Sequence, residues 1–430
     1  MFAEDFSFRP EKYYRIFIMK IAIIGGGLTG LVAAHALSGK HEVDIFEKKP
    51  FLGGCLSSYP INDYWIERYY HHCFSTDTHL FSLIDTLGLS EKLEWKTGTT
   101  GYYAKKKIYA LNTPMEILLY PELSIFDKAR LAYLTLTAKN ADLKALDDIT
   151  ADRYIIEHLG ENVYTSFFEP LLKSKFGEQR KEVSAAWLMS RIAIRSNRGV
   201  SGENLGYLKG GFHLLIDALV QSIERNGGKI LKQQPVSSIR HENGSWLIND
   251  GHYDAVISTI PPQELEKAGG PTMQPIPYQG AACMTLAMDR EVTQGIYWLN
   301  MKDAAPYGAV VTHTNFISRE RYGEHIVYLA SYFSGTVPAQ LDRRMLDDFC
   351  NRFSVAPTEI HWHKMAIDPF AGPVYTTGYR LLIPAYEQKG LYLAGMFSRP
   401  NYPERSMEGS IRAGFDVAAC VNERSVHDGS

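Results

Sequence analysis

The 430 residues carry 45 Lys and Arg against 48 Asp and Glu, a formal net charge of −3, with 45% hydrophobic and 22% charged residues. That balance is ordinary for a folded globular chain and lacks the broad positive field that non-specific nucleic-acid binding needs, which argues against nucleic acid as a partner. A chain of this length exceeds the size at which one hydrophobic core keeps growing, so two lobes sharing a ligand cleft are expected.

The N-terminal stretch 1–18, "MFAEDFSFRPEKYYRIFI", lacks the charged lead, apolar core and small-residue cleavage site of a signal peptide. It reads either as an extension ahead of a natural start at Met19 or as an ordered arm built on Phe2, Phe6, Phe8, Tyr13 and Tyr14. Cys55, Cys73, Cys283, Cys350 and Cys420 are odd in number, scattered and free of any C-x-x-C pair. Neither a disulfide framework nor a metal site is therefore indicated, and a reducing cytoplasmic location is expected. No run of about 18 apolar residues occurs, so no transmembrane segment is expected, while peripheral membrane attachment stays open.

The first element is "KIAIIGGGLTGLVAAHALSGKHEVDIFEKK", a β-branched strand, a glycine turn, an Ala-rich helix and a second strand. Gly25, Gly27 and Gly30 supply G-x-G-x-x-G: one glycine for the tight turn, one for close approach to a pyrophosphate, one for packing helix on strand. Helix amides from Leu28 and Thr29 onward then face the phosphates. Glu47, twenty residues beyond Gly27 and followed by Lys48, is placed to accept both ribose hydroxyls of an adenosine. The unit is read as a dinucleotide site.

With Gly53, Gly54 and Cys55 in "KKPFLGGCLSSY", the chain resembles the flavin amine oxidase and protoporphyrinogen oxidase superfamily. The resemblance covers residues 19 to 425 and implies FAD, with Gly54 and Cys55 as a second cofactor contact. Relatives carry an arginine where this chain has Cys55. Backbone amides can supply the anion's hydrogen bonds instead, and the thiol reads as a small filler.

Next comes "RYYHHCF", residues 68–74, which the resemblance places on the path from the pyrophosphate toward the flavin ring. Adjacent residues on an extended segment point to opposite faces, so His71 and His72 cannot share a metal ion. One is expected to face the flavin pocket and the other the core; His72, with Tyr70 on its face, is the expected catalytic group and His71 its alternative.

The stretch 76–204 reads as mainly helical. Its part "LNTPMEILLYPELSIFDKARLAYLTLTAK" reads as ordinary core helix, with the membrane contact or apolar substrate tunnel that the resemblance implies for relatives acting on porphyrinogens or isoprenoids as the alternative, and Arg191, Arg195 and Arg198 read as solvated helix charges rather than a grip on an anionic substrate. "LGYLKGGFHLLIDALVQSIERNGGKILKQQPVSSI" resembles the superfamily's mid-chain FAD segment, which implies a strand ending near Val236 and an adenine contact at Val236. Residues 266–384 look richer in strands, and "HWHK" reads as a strand with two half-buried histidines, His361 and His363. "GLYLAGMFSRPNYPERSMEGSIRAGFDVAAC" resembles the last FAD motif, implying cofactor contacts at Gly395, Met396, Glu408, Gly409, Ser410 and Ile411. Ser406 stands where amine oxidases place a cage aromatic, and Tyr402 in the same loop is the expected replacement.

The expected fold class is α/β, a Rossmann-like FAD-binding domain of glutathione-reductase type with an inserted mixed α+β substrate domain. Residues 19–75, 205–265 and 385–425 are assigned to the first, and 76–204 and 266–384 to the second. The resemblance implies dehydrogenation or desaturation of a small or lipid-like organic substrate by hydride transfer to flavin N5. A mutase or isomerase without net redox, resembling UDP-galactopyranose mutase, is the alternative, and a cofactor-binding protein without turnover is a third class.

Overall fold

The computed structural model describes residues 17–195, 203–388 and 390–427. Residues 1–16 of the N-terminal stretch 1–18, whether extension or arm, Arg198 and the side chain of Arg195 lie outside what is described. Six strands form one sheet in the spatial order Glu387–Gln388, Leu391–Leu393, Ala255–Ser258, Lys20–Ile24, Glu42–Glu47 and Lys229–Lys232. All neighbours run parallel except the hairpin at the Glu387 edge.

Strand alternation explains why this sheet is buried on both faces. Ile21 and Ile23 join a core with Leu31, Leu219 and Val417 from the helices Leu28–Leu37, His213–Arg225 and Met407–His427. Ala22 and Ile24 join another core with Ile239, Ile248 and Tyr253 of a three-stranded antiparallel meander. Parallel sheet, helical layer and meander make the α/β arrangement expected from the sequence.

Seven further strands form a second sheet, in the order Ile360–Pro373, Tyr278–Met288, His325–Phe333, Ala309–Thr312, Trp298–Met301, Thr100–Ala104 and Lys107–Ala110. It is antiparallel apart from the parallel pair Trp298–Met301 with Thr100–Ala104. In Tyr278–Met288 every residue after the first is buried. Its odd positions Cys283 and Ala287 face the core beside the dinucleotide unit, and Met284 and Met288 face Met345 and Phe349.

Helices dominate residues 78–195, with the helices Pro114–Leu119 and Ile125–Thr137 opened by capping boxes at Thr113 and Ser124. Ile125–Thr137 is not the ordinary core helix expected. Leu131 and Leu134 are buried, yet Phe126, Tyr133 and Leu136 are 75%, 71% and 79% exposed. The helix is apolar on more than one face, and only the stripe through Leu131 and Leu134 meets a core. His361 and His363 also depart from expectation, both being exposed; His361 sits between Glu324 and Asp289 at 2.6 and 2.9 Å, which holds its pKa up. No helix among the described residues is long and apolar enough to cross a membrane.

Candidate active site

A cleft of about 540 Å³ runs between the two sheets and is lined by both. At one end lies the glycine turn. Gly25 has φ +109, a conformation that L side chains rarely adopt, and a Cβ on Gly30 would sit 2.1 Å from the Gly25 carbonyl oxygen. Gly27 differs: a Cβ there meets nothing within 4 Å, so the space above it belongs to the cleft. The helix Leu28–Leu37 starts at Gly27 with no side-chain cap, which leaves the amides of its first turn free for an anion.

The second glycine pair closes on this turn, with Gly53 N–H donating to Gly26 C=O at 2.8 Å and Gly54 at φ +57. Glu47 ends its strand with one carboxylate oxygen accepting from Gly26 N–H at 2.9 Å and the other from Lys49 N–H at 2.7 Å. Those bonds fix the carboxylate while leaving lone pairs for ribose hydroxyls. Lys48 borders the cleft beside it. Val236 also borders the cleft, four residues past the end of the strand Lys229–Lys232 rather than near its end as expected. An uncapped helix start, an open seat over Gly27 and an oriented acid fit the adenosine diphosphate part of FAD.

The C-terminal motif meets the cleft only in part. Gly395, Met396 and Ser410 line it, and the Ser410 carbonyl accepts from Thr29 Oγ1 at 3.1 Å, tying the last helix to the first. Ile411 is buried behind them, and a Cβ on Gly409 would lie 2.5 Å from Asn401 Oδ1, so these residues pack rather than line. Glu408 turns away from the cleft. Its oxygens accept from the amides of His79 and Leu80 at 3.0 and 2.9 Å, capping the helix Thr78–Thr86, with the His79 ring at 2.6 Å.

The segment 68–74 crosses the middle of the cleft. Glu67 fastens its start, buried and accepting from Phe212 N–H at 2.7 Å and Tyr207 O–H at 2.8 Å. Arg68 is sandwiched between the Phe51 and Tyr59 rings at 3.8 and 4.0 Å, and Cys73 is locked to Gly206 by two backbone bonds. Between these anchors the chain is not a regular strand, so simple alternation does not hold: Tyr69, Tyr70, His71, His72 and Phe74 all border the cleft.

The two histidines make different contacts. His71 Nδ1 lies 2.6 Å from the Tyr69 carbonyl, which can only accept, so Nδ1 carries the proton and Nε2 is a free acceptor. Burial and the nearby Arg405 lower its pKa to about 4 against the opposing pull of that carbonyl. His72 Nδ1 lies 3.0 Å from the Tyr297 hydroxyl, and its ring packs edge-on to Phe74 at 5.2 Å. The Tyr70 hydroxyl lies 3.0 Å from that of Tyr332. Cys55 borders the cleft with a thiol pushed up to about 12, chiefly by burial, so it stays protonated and unreactive. Tyr402 does not line the cleft. Its hydroxyl donates to the fully buried Asp147, and its ring stacks on Tyr379 at 5.9 Å.

Four cleft residues were not expected as site residues: Lys175, Arg191, Glu404 and Arg405. Arg191 and Lys175 approach one Glu404 oxygen at 2.9 and 3.4 Å. Burial raises the Glu404 pKa, but the cations Lys175, Arg191 and Arg405 outweigh it and hold the carboxyl below its usual range. Burial drives Lys175 well below the usual ammonium value. Arg191, read from the sequence as a solvated helix charge, instead borders the cleft paired with Glu404, and Arg405 offered a signal only through its position three residues before Glu408. Among the described residues no group of three His, Cys, Asp or Glu could hold a metal.

The sequence profile of the flavin containing amine oxidoreductase family matches residues 28–422, and the chain belongs to that family. Its cofactor is accordingly FAD, which the cleft fits. Zeta-carotene desaturase of Zea mays is 29% identical over 201 residues, 44% of this chain and 34% of that protein. Protoporphyrinogen oxidase 2 of Arabidopsis thaliana is 24% identical over 293 residues, 56% of this chain and 57% of that protein. The chain spans 34% to 60% of the length of the first curated relatives it matches. Reduced UDP-galactopyranose mutase is similar in structure with a TM-score of 0.71 at 15% identity, over 96% of both chains, a likeness of fold alone.

Proposed function

We propose that the protein dehydrogenates or desaturates an organic substrate held where His71, Tyr70 and Tyr332 meet the cleft, with His71 as the proton acceptor. The observation that carries this reading is the His71 geometry: Nδ1 is tied to the Tyr69 carbonyl, which leaves Nε2 as the ring's acceptor at the cleft. FAD, held by the amides of the Leu28 turn and by Glu47, would supply a two-electron acceptor for the substrate's hydride. The chain's own residues do the rest. Glu67 and Cys73 hold the histidine segment in place, Trp298 packs edge-on to Tyr70 at 4.8 Å to wall the pocket, and the Tyr70–Tyr332 hydroxyl pair offers a polar contact to the substrate. The match to desaturases and oxidases in the family supports this chemistry over a binding role alone.

The test is anaerobic mixing of the yellow holoprotein with a panel of reduced organic acids, polyenes and porphyrinogens, followed at the flavin absorbance. Bleaching by one class, lost in His71→Asn with FAD retained, is the expected result. Activity that appears only after dithionite reduction, with no net electron transfer, would replace this reading by a mutase.

A further inference from the structure

Three basic side chains from three separate segments, two of them guanidinium groups, converge on one wall of the cleft. Lys175 comes from the helix Glu169–Phe176, Arg191 from the helix Ala185–Arg195, and Arg405 from the loop that precedes the C-terminal helix. The carboxylate among them is Glu404, which shares a single oxygen between Arg191 and Lys175. The other oxygen of Glu404 is buried without a hydrogen-bond partner among the described residues. The neighbouring Lys49 and Asp368 neutralise each other at 3.2 Å and add no net charge. Residues 196–202, which follow the Arg191 helix, read SNRGVSG and contain no acid.

Arg405 is the unusual member. Among the described residues it has no carboxylate within ion-pair distance and no hydrogen bond, although it borders the cleft. Its guanidinium lies flat over Gly372, where a Cβ would stand 2.3 Å from Cζ, so the strand Ile360–Pro373 is cut back to glycine to seat it. A half-buried guanidinium that borders the cleft, with Glu404 near but not in hydrogen-bond contact, has a planar fork that matches a carboxylate or phosphate in a two-pronged way. Lys175 is steadied by the Trp187 ring at 4.7 Å, with Arg191 5.7 Å from the same ring.

We propose that Arg405, Arg191 and Lys175 form a subsite for an anionic oxygen group, a carboxylate or phosphate carried by the substrate, on the wall of the cleft facing His71. This inference rests on the reading of the cleft as a substrate site. It also sets this chain apart from oxidation of free amines, because an ammonium group would bring a further positive charge to a wall that already sets two guanidinium groups against one carboxylate. The same chemistry has a second source, the pyrophosphate of FAD, although the amides at Leu28 to Gly30 already provide for that group.

The experiment titrates FAD-loaded protein with inorganic phosphate and, separately, with acetate, reading heat and the flavin difference spectrum. Arg405→Gln and Lys175→Gln should weaken phosphate binding by at least ~10-fold while leaving FAD affinity within about twofold. Gly372→Ala should do the same by displacing the Arg405 guanidinium, and it keeps the test open should a charge variant fold poorly. Phosphate that does not bind wild type, or binds the three variants equally well, overturns the proposal. Loss of FAD with phosphate binding unchanged would assign the cluster to the cofactor and overturn it too. Phosphate binding that falls in the variants, in a holoprotein whose flavin no tested substrate bleaches, would instead fail the dehydrogenase reading and leave the subsite standing.

Discussion

Gly27→Ala and Gly30→Ala separate a glycine required by the ligand from one required by the fold. Gly27 has φ −75 and ψ 176, which alanine adopts freely, and a Cβ there meets nothing within 4 Å. With no native strain, the substitution should stabilise cofactor-free protein by about 0.4–1 kcal/mol, through the smaller entropy of the unfolded chain. The methyl would occupy the space reserved for the pyrophosphate, so FAD affinity should fall at least ~10-fold, or about 1.4 kcal/mol. Gly30 is the reverse case. Its Cβ would stand 2.1 Å from a backbone carbonyl that cannot swing aside, and such overpacking costs about 1–3 kcal/mol whether or not FAD is present. Urea unfolding of stripped protein gives the stabilities, and flavin fluorescence quenching gives the affinities. A Gly27→Ala protein that binds FAD like wild type, or that loses as much stability as Gly30→Ala, would refute the assignment of this turn as the pyrophosphate seat.

Other substitutions probe the remaining parts of the cleft. Glu47→Ala strands the Gly26 and Lys49 amides and removes the acid facing the ribose, so it should lower both stability, by about 1–3 kcal/mol, and FAD affinity. Glu408→Ala should cost stability of about 0.5–2 kcal/mol through its lost helix cap, yet leave FAD affinity near wild type in a flavin titration. His71 has a folded pKa of about 4 against an ordinary 6.5. Between those values the unfolded chain binds a proton that the folded chain refuses, so this group makes stability rise with pH across the window. Asp77, pushed up to about 6 mainly by burial, acts in the opposite sense between 3.8 and 6. Urea unfolding of His71→Asn from pH 4 to 7 should therefore show a smaller rise in stability with pH than wild type; an unchanged slope would show that His71 titrates normally.

The dinucleotide end was legible in the sequence because its chemistry is local: Gly25, Gly27, Gly30 and Glu47 stand at fixed offsets along one strand, helix and strand. The opposite end was not. Lys175, Arg191 and Arg405 are far apart in the chain, and nothing in the helical pattern around Arg191 says that its solvent-facing stripe meets a cleft rather than water. Motif position also fails to say where a side chain turns. Glu408 falls at the expected place in the last motif yet caps a neighbouring helix, and Tyr402 reaches Asp147 instead of the cleft. In the segment 68–74 a strand-like alternation was assumed, but anchors at Glu67 and Cys73 hold an irregular path that brings both histidines to the cleft.

On this reading the cleft seats FAD with its pyrophosphate on the Leu28–Gly30 turn and its flavin beside His71. A crystal structure of the FAD-loaded protein measures this directly. Pyrophosphate oxygens on the amides of the first helix turn, Glu47 on the ribose and the flavin ring in contact with His71 are the expected result. A flavin placed away from His71, or a dinucleotide running in the opposite sense, would contradict it.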